Sequence, residues 1–226
     1  MLIAVMSVFE EEELLPRAIK SLQAGGVDRI EVFDGAWKNF GDGASQDRTL
    51  ELAQELGCVV HEVTQPWESQ EAKRTDMFHL CGAQYGDHVL VFDADEELEG
   101  VFPALEVGEH YNMMVKCVGP NDMPGVRGEW PNGDYYADYK PELRVFAYSK
   151  HLHCKWPGGY WDFFGRIEPY ADYKGSPALP VVQGATFLHH GNDRSPERIE
   201  KKLEFYHREH PKRQARQKAE WKENPW

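Results

Sequence analysis

Two aspartates stand two residues apart in Asp93-Ala94-Asp95, directly after the apolar run Val89-Leu90-Val91-Phe92, and Glu96-Glu97 follow. A short β-branched and aromatic run bounded by polar residues reads as a buried strand. Such a strand delivers both carboxylates at its carboxyl end, the edge where open α/β sheets bind ligands. Carboxylates held together repel each other unless a cation or a proton lies between them. A divalent metal carrying phosphates meets that need. The plainer alternative is an acidic turn or a helix start, where Asp and Glu are favoured by the helix dipole. On the motif alone both readings stand.

The elements that would position these carboxylates follow from the pattern of the first hundred residues. Residues 2–8 (LIAVMSV) read as a buried strand. In the EEEELLPRAIKSLQAGG that follows, Leu14, Leu15, Ala18, Ile19 and Leu22 share a helical face, with the acidic cluster at the helix start and Gly25-Gly26 as its stop. A second strand, 29–34, ends in Asp34 and opens into a glycine-rich loop. A short helix (TLELAQELG), a third strand (58–63), a third helix (69–86) and the strand HVLVFD complete the alternation. Strand–helix alternation with short connections implies a parallel, doubly wound sheet with right-handed crossovers. Loops 9–12, 34–47, 64–69 and 93–97 then share one edge. Later strands are expected at 111–119, 142–148 and in PVVQGATFLHHG. The Gly/Pro/Asn/Asp-rich stretch between the first two is long enough to suggest a substrate-binding or mobile loop. One domain is expected, with a strand–helix alternating half (1–98), an elaborated second half (99–194) and a C-terminal helix and tail (195–226).

The chain has 226 residues, and its 41% hydrophobic content supports a substantial core. A net charge of −13 argues against a general nucleic-acid binder, which needs a basic surface. It leaves room for a nucleotide, where a metal supplies the positive charge. Cys58, Cys81, Cys117 and Cys154 show no zinc-type spacing and fit a reducing compartment. MLIAVMSVFEEEE is too short and too acidic for a secretory leader, and no run approaches the length of a membrane span. A cytoplasmic protein is expected. The basic C-terminal helix is of the kind that docks peripherally on acidic lipids or a polyanion, a solvated helix being the plainer alternative.

Four ordered segments resemble glycosyltransferase family 2. These are MSVFEEEELLPRAIKSL, VFDGAWKNFGDGASQDRTLELAQELG with a lengthened loop, EAKRTDMFHLC, and VLVFDADEEL. PELRVF, GYWDFF and FLHHGNDRSPERIEKK resemble later segments of the same family. The resemblance implies a GT-A fold, Rossmann-like with a mostly parallel sheet flanked by helices. It also implies a nucleoside-diphosphate sugar donor (UDP-sugar favoured), a carbohydrate or other acceptor, a divalent metal (Mn²⁺ or Mg²⁺) and an inverting reaction.

The same resemblance assigns roles. It makes Asp95 the main metal ligand, and Asp93 a contact to the ribose or to a metal-bound water. Asp34 is assigned to the nucleotide base, and Glu11 to the border of the nucleotide pocket. Arg74 becomes a cation near the diphosphate, with Lys73 the weaker candidate beside it. His189 is implied as a metal ligand with His190 as its substitute, since strand neighbours point to opposite faces. Asp162 is implied as the base that takes the acceptor proton, with Trp161 beside it for stacking on a sugar, and Glu142 and Asp138 as lesser candidates. Asp76 departs from the family's usual asparagine. Two other readings remain open. A sugar-phosphate nucleotidyltransferase is disfavoured by EEEE in the place of a glycine-rich basic loop. A non-catalytic nucleotide- or carbohydrate-binding relative is the other.

Overall fold

A computed structural model describes residues 1–38, 40–117, 140–155, 166–168, 179–190, 195–198, 200 and 204. The chain divides into two compact units, Met1–Gly191 and Asn192–Trp226. In the second unit residues 196–198, 200 and 204 are helical.

The elements of the first unit run β1 (Leu2–Ser7), α1 (Leu15–Ala24), β2 (Arg29–Phe33), α2 (Thr49–Glu55), β3 (Val59–His61), α3 (Gln70–Leu80), β4 (His88–Phe92) and β5 (Glu96–Gly100). Then come β6 (Tyr111–Cys117), β7 (Lys140–Ala147), β8 (His153–Lys155), β9 (Arg166–Glu168) and β10 (Val181–His189). Among the described residues, eight strands form one sheet in the order β3-β2-β1-β4-β7-β6-β10-β5, and β8 pairs with β9. The first four are mutually parallel, as the alternation of strand and helix predicts. β7 runs antiparallel to both β4 and β6, β10 is parallel to β6, and β5 closes the edge antiparallel to β10.

The alternation of side chains along β1 explains the layering. Leu2, Ala4 and Met6 face one side, where they pack with Leu15, Ala18, Ile19 and Leu22 of α1 and Ala53 of α2. Ile3 and Val5 face the other, against Met77 and Phe78 of α3 and Cys81 just after it. With helices over both faces, β1 from Leu2 to Met6 and β4 from Val89 to Phe92 are apolar, as parallel strands buried on both sides must be.

Two local expectations are corrected. The acidic cluster lies ahead of α1 and not in its first turn, because the helix begins only at Leu15, where Pro16 sets the first turn. After β4, Ala94-Asp95 form an acidic turn, as the plainer reading has it, but no helix follows: Glu96–Gly100 is an edge strand. Its alternation was legible, since Glu96 and Leu98 point inward while Glu97 and Glu99 point out.

At the amino end of β4, remote from Asp93, two histidines are held neutral. His88 is buried and hydrogen-bonds the Glu109 carbonyl through Nε2 at 3.2 Å. His110 Nδ1 accepts the Ala147 N–H at 3.2 Å, a role a protonated ring cannot keep. Burial lowers the pKa of both, and His88 lowers that of His110 further. The unfolded chain therefore binds the protons first. The stability these rings contribute is complete above about pH 6.5, the ordinary histidine value, and declines as pH falls through it. The urea midpoint is expected to drop between pH 7.5 and 5, and to drop less in His110→Asn, whose side-chain oxygen still accepts from Ala147. Equal drops in the two proteins would contradict this.

Candidate functional site

The parallel order puts the carboxyl ends of β2, β1 and β4 side by side. Between β1 and β4 the chain order reverses, and that is where doubly wound sheets open a ligand crevice. Asp34, Val8 and Asp93 each follow the last residue of their strand, or the one after it, on this edge.

Asp93, Asp95 and the residues beneath them form one charged network. Asp93 is part-exposed at 24%, and its Oδ1 accepts from Arg74 Nη2 of α3 at 3.2 Å. Asp95 is nearly buried, and its Oδ2 lies 3.7 Å from His189 Nε2 at the end of β10. His190 turns the other way, as strand alternation requires: its Nε2 lies 3.1 Å from Glu97 Oε2, while its backbone N–H donates to the Asp95 carbonyl at 2.6 Å.

The turn itself is braced from below. The Asp93 N–H donates to Glu96 Oε2 at 2.9 Å, and the Glu96 N–H returns a bond to the Asp93 carbonyl at 3.1 Å. Glu96 is fully buried and takes a two-pronged contact from Arg144 of β7, with Nη2 to Oε1 at 2.6 Å and Nη1 to Oε2 at 3.2 Å. Arg144 also donates through Nε to Glu142 at 3.0 Å and lies over the Phe187 ring, 5.6 Å from its centroid. Burial pushes the Glu96 carboxyl up; Arg144 opposes that, and Asp93 and Asp95 add to it. Glu142, the lesser base candidate, is thus engaged by an arginine.

On the other side of the crevice, Asp34 is fully buried. Both its carboxylate oxygens accept from Ser45, from N–H at 2.8 Å and from Oγ at 2.5 Å. Ser45 Oγ in turn accepts the Glu10 N–H at 2.7 Å. The next two amides follow suit: Glu11 N–H donates to Thr49 Oγ1 at 2.7 Å and Glu12 N–H to Asp47 Oδ2 at 3.2 Å. The loops after β1 and β2 are therefore laced together by side-chain oxygens on consecutive amides. Glu10, at φ 53°, is the non-glycine residue in the left-handed region among those described.

The lengthened part of the β2–α2 loop is closed at its neck by Ala36 N–H to the Gly43 carbonyl at 2.8 Å. It carries Trp37 stacked on Phe40, with centroids 4.5 Å apart, and Phe40 meets Phe9 edge-on. Trp67, from the loop after β3, pairs with this segment through Lys38 N–H and Ala36 C=O, and its Nε1 donates to the Asp34 carbonyl at 3.0 Å. At Gly35, φ is +103° and a Cβ would lie 2.2 Å from Val63 Cγ2, so only glycine fits.

Lys73, the weaker of the two basic candidates, is fully buried. Ser69 caps the start of α3, its Oγ accepting from the Ala72 N–H at 3.1 Å, and so aims the first two turns at the strand ends. The structure thus pairs Asp93 with Arg74 and Asp95 with His189 around one turn, with Asp34 and Glu11 in the loops after the neighbouring strands β2 and β1. Asp162, Trp161 and Asp138 lie outside the described residues. Sequence reasoning missed Glu96, Arg144 and Ser45. A lone arginine inside the apolar run Leu143-Arg144-Val145-Phe146 was the signal for the second.

Among the described residues, no three His, Cys, Asp or Glu side chains are gathered to hold an ion unaided. Asp95 and His189 supply a carboxylate oxygen and an imidazole nitrogen, a pair that suits an ion whose remaining positions are filled by phosphate oxygens and water. No described helix is long and apolar enough to cross a membrane.

No family model matches the chain, and no curated protein does. Solved structures do. The chain is similar to Staphylococcus aureus TarS 1-349 in complex with UDP-GlcNAc, at 14% identity and a TM-score of 0.39, covering 54% of this chain and 36% of that one. It is similar to glucosyl-3-phosphoglycerate synthase from Mycobacterium tuberculosis in complex with phosphoglyceric acid, at 19% identity and 0.34, covering 54% and 45%. It is also similar to a 4-diphosphocytidyl-2C-methyl-D-erythritol synthase, at 11% identity and 0.41, covering 65% and 74%. The chain spans 22% to 38% of the length of the TarS chains it resembles. At these values the likeness assigns no role to any residue.

Proposed function

We propose that this chain is a glycosyltransferase of the family 2 type, GT-A in fold, which moves a sugar from a nucleoside-diphosphate sugar to an acceptor hydroxyl with inversion. UDP-sugars are the favoured donors. The observation that carries the reading is the gathering of Asp93, Asp95, Arg74 and His189 at the β1/β4 switch point, with the acidic groups in excess. Asp95 and His189 would hold a divalent ion, Mn²⁺ or Mg²⁺. Bound there, such an ion supplies Lewis-acid stabilisation of the leaving diphosphate. Arg74 holds Asp93 toward the ribose side and adds positive charge near the phosphates. Asp162 takes the acceptor proton as the acceptor oxygen bonds to the anomeric carbon and the carbon–oxygen bond to the diphosphate breaks.

The loop after β1 favours this reading over nucleotidyl transfer. Its consecutive amides at Glu10, Glu11 and Glu12 donate to Ser45, Thr49 and Asp47, whereas a triphosphate cradle directs backbone N–H groups at the ligand.

The test is a calorimetric and thermal-shift panel of UDP-, GDP-, CMP- and dTDP-sugars with and without Mn²⁺. Stabilisation by one nucleotide sugar that requires the metal is expected; silence across the panel would sink the proposal. Asp162→Asn is expected to lose transfer while keeping nucleotide affinity, and normal turnover in that variant would remove Asp162 as the base.

A further inference from the structure

Lys73 has no outlet to solvent and no ion-paired carboxylate within hydrogen-bond distance among the described contacts. Its Nζ instead donates to two backbone carbonyls, Val8 at 2.8 Å and Gly35 at 2.6 Å. Their positions are informative. β1 and β2 pair in register up to Ser7 and Phe33, and the Val8 N–H to Phe33 C=O bond at 3.0 Å is the last rung. Beyond it the strands part into their loops. The carbonyls of Val8 and Gly35 are left facing inward where no strand can pair with them, and an orphaned buried carbonyl is costly. One amine serves both.

The next residue on α3, Arg74, reaches the end of β4 through Asp93. Consecutive basic residues of a single helix therefore fix the ends of three adjacent strands. The charges acting on Lys73 are Asp34 and Glu11, which favour its ammonium form, and Arg74, which opposes it. Burial outweighs them and brings the amine down to about 7.

We propose that Lys73 is a positioning residue, its Nζ setting the separation of the loops after β1 and β2 and so the width of the nucleotide seat between them. The second half of this statement rests on the nucleotide-sugar reading; the first half does not. In Lys73→Met, hydrogen exchange followed by mass spectrometry is expected to quicken about tenfold or more in both segments, 8–12 and 35–45, with the middles of β1 and β4 unchanged. UDP affinity in the presence of Mn²⁺ is expected to fall about tenfold or more, measured at a temperature well below the melting point of the variant. Unchanged protection in either loop overturns the positioning role. Faster exchange with unchanged UDP affinity overturns the link to the seat. If wild-type protein binds no nucleotide at all, the functional reading fails while the exchange result still judges Lys73.

Should Lys73→Met not fold, wild-type protein decides. An opening that exposes Lys73 returns its amine to about 10.4 and takes up a proton, so opening is favoured as pH falls from about 10.4 toward 7. Corrected for intrinsic exchange, both loops are expected to be better protected at pH 9 than at pH 7. Absence of that slope in either loop overturns the proposal.

Discussion

Arg144→Met is expected to destabilise the fold by about 3–5 kcal/mol, the range for breaking a buried ion pair from one side. Arg144 and Glu96 are 3% and 0% exposed in their side chains, so water cannot replace the lost contacts. Removing the guanidinium strands Glu96 beside Asp93 and Asp95, both of which already push its carboxyl up. With Arg144 in place burial already pushes the Glu96 carboxyl up to about 8, and without it the carboxyl rises further. Both proteins lose stability as pH rises through the ordinary carboxylate range, and the deficit of the variant grows only above about pH 8, where Glu96 ionises in wild type and not in the variant. Urea denaturation at pH 7 and pH 9.5 tests the sign: the deficit should be larger at pH 9.5. The double variant Arg144→Met, Glu96→Gln should recover a large part of it, since a neutral amide removes the stranded charge. A deficit independent of pH, or no recovery in the double variant, would show that Arg144 acts by packing on Phe187 alone.

The same pair explains how much of the site the sequence could reveal. The parallel half was legible because its helices cover both faces, so β1 and β4 had to carry unbroken apolar runs and α1 had to carry Leu15, Ala18, Ile19 and Leu22 on one stripe. Asp93 and Asp95 were legible because a strand so buried ends where polarity begins. Glu96 and Arg144 were hidden. They meet across 48 positions of sequence, and charged residues on two strands announce no partner unless the strand order is known. That order places β7 beside β4, but β5 at the far edge next to β10, and no local pattern dictates it. The burial of Lys73 was hidden for a related reason. Within α3 it belongs to a polar run, and only the parting of β1 and β2 makes two carbonyls that need it. The place of Asp34 at the end of β2 was legible, but its immediate partner Ser45 lies in the lengthened loop, where spacing no longer guides the eye.

Asp95→Asn is expected to abolish metal-dependent nucleotide binding while making the protein more stable. The two effects have one cause. Asp95 shares its turn with Asp93, paired to Arg74, and with Glu96, paired to Arg144, and it pushes the Glu96 carboxyl up, so its charge is opposed by these neighbours in the unliganded protein. An amide of the same shape relieves that repulsion and leaves the His190 N–H bond to the residue 95 carbonyl in place. Relief of this kind is worth about 0.5–2 kcal/mol at sites where function is kept at the expense of stability. The amide is also a poor ligand for a divalent ion. Groups that merely support a metal ligand cost about 10–100-fold in affinity when removed, and a direct ligand should reach the upper end or exceed it. Melting curves at pH 8 should therefore cross. Asp95→Asn melts above wild type without ligand, and below it once the Mn²⁺–nucleotide sugar pair that stabilises wild type is added. His189→Gln should lose the ligand-induced rise without the gain in the unliganded protein, since it removes a ligand but no negative charge. If Asp95→Asn lowers stability and retains the ligand response, Asp95 is a brace for the turn, and the metal reading of Asp93-Ala94-Asp95 falls with it.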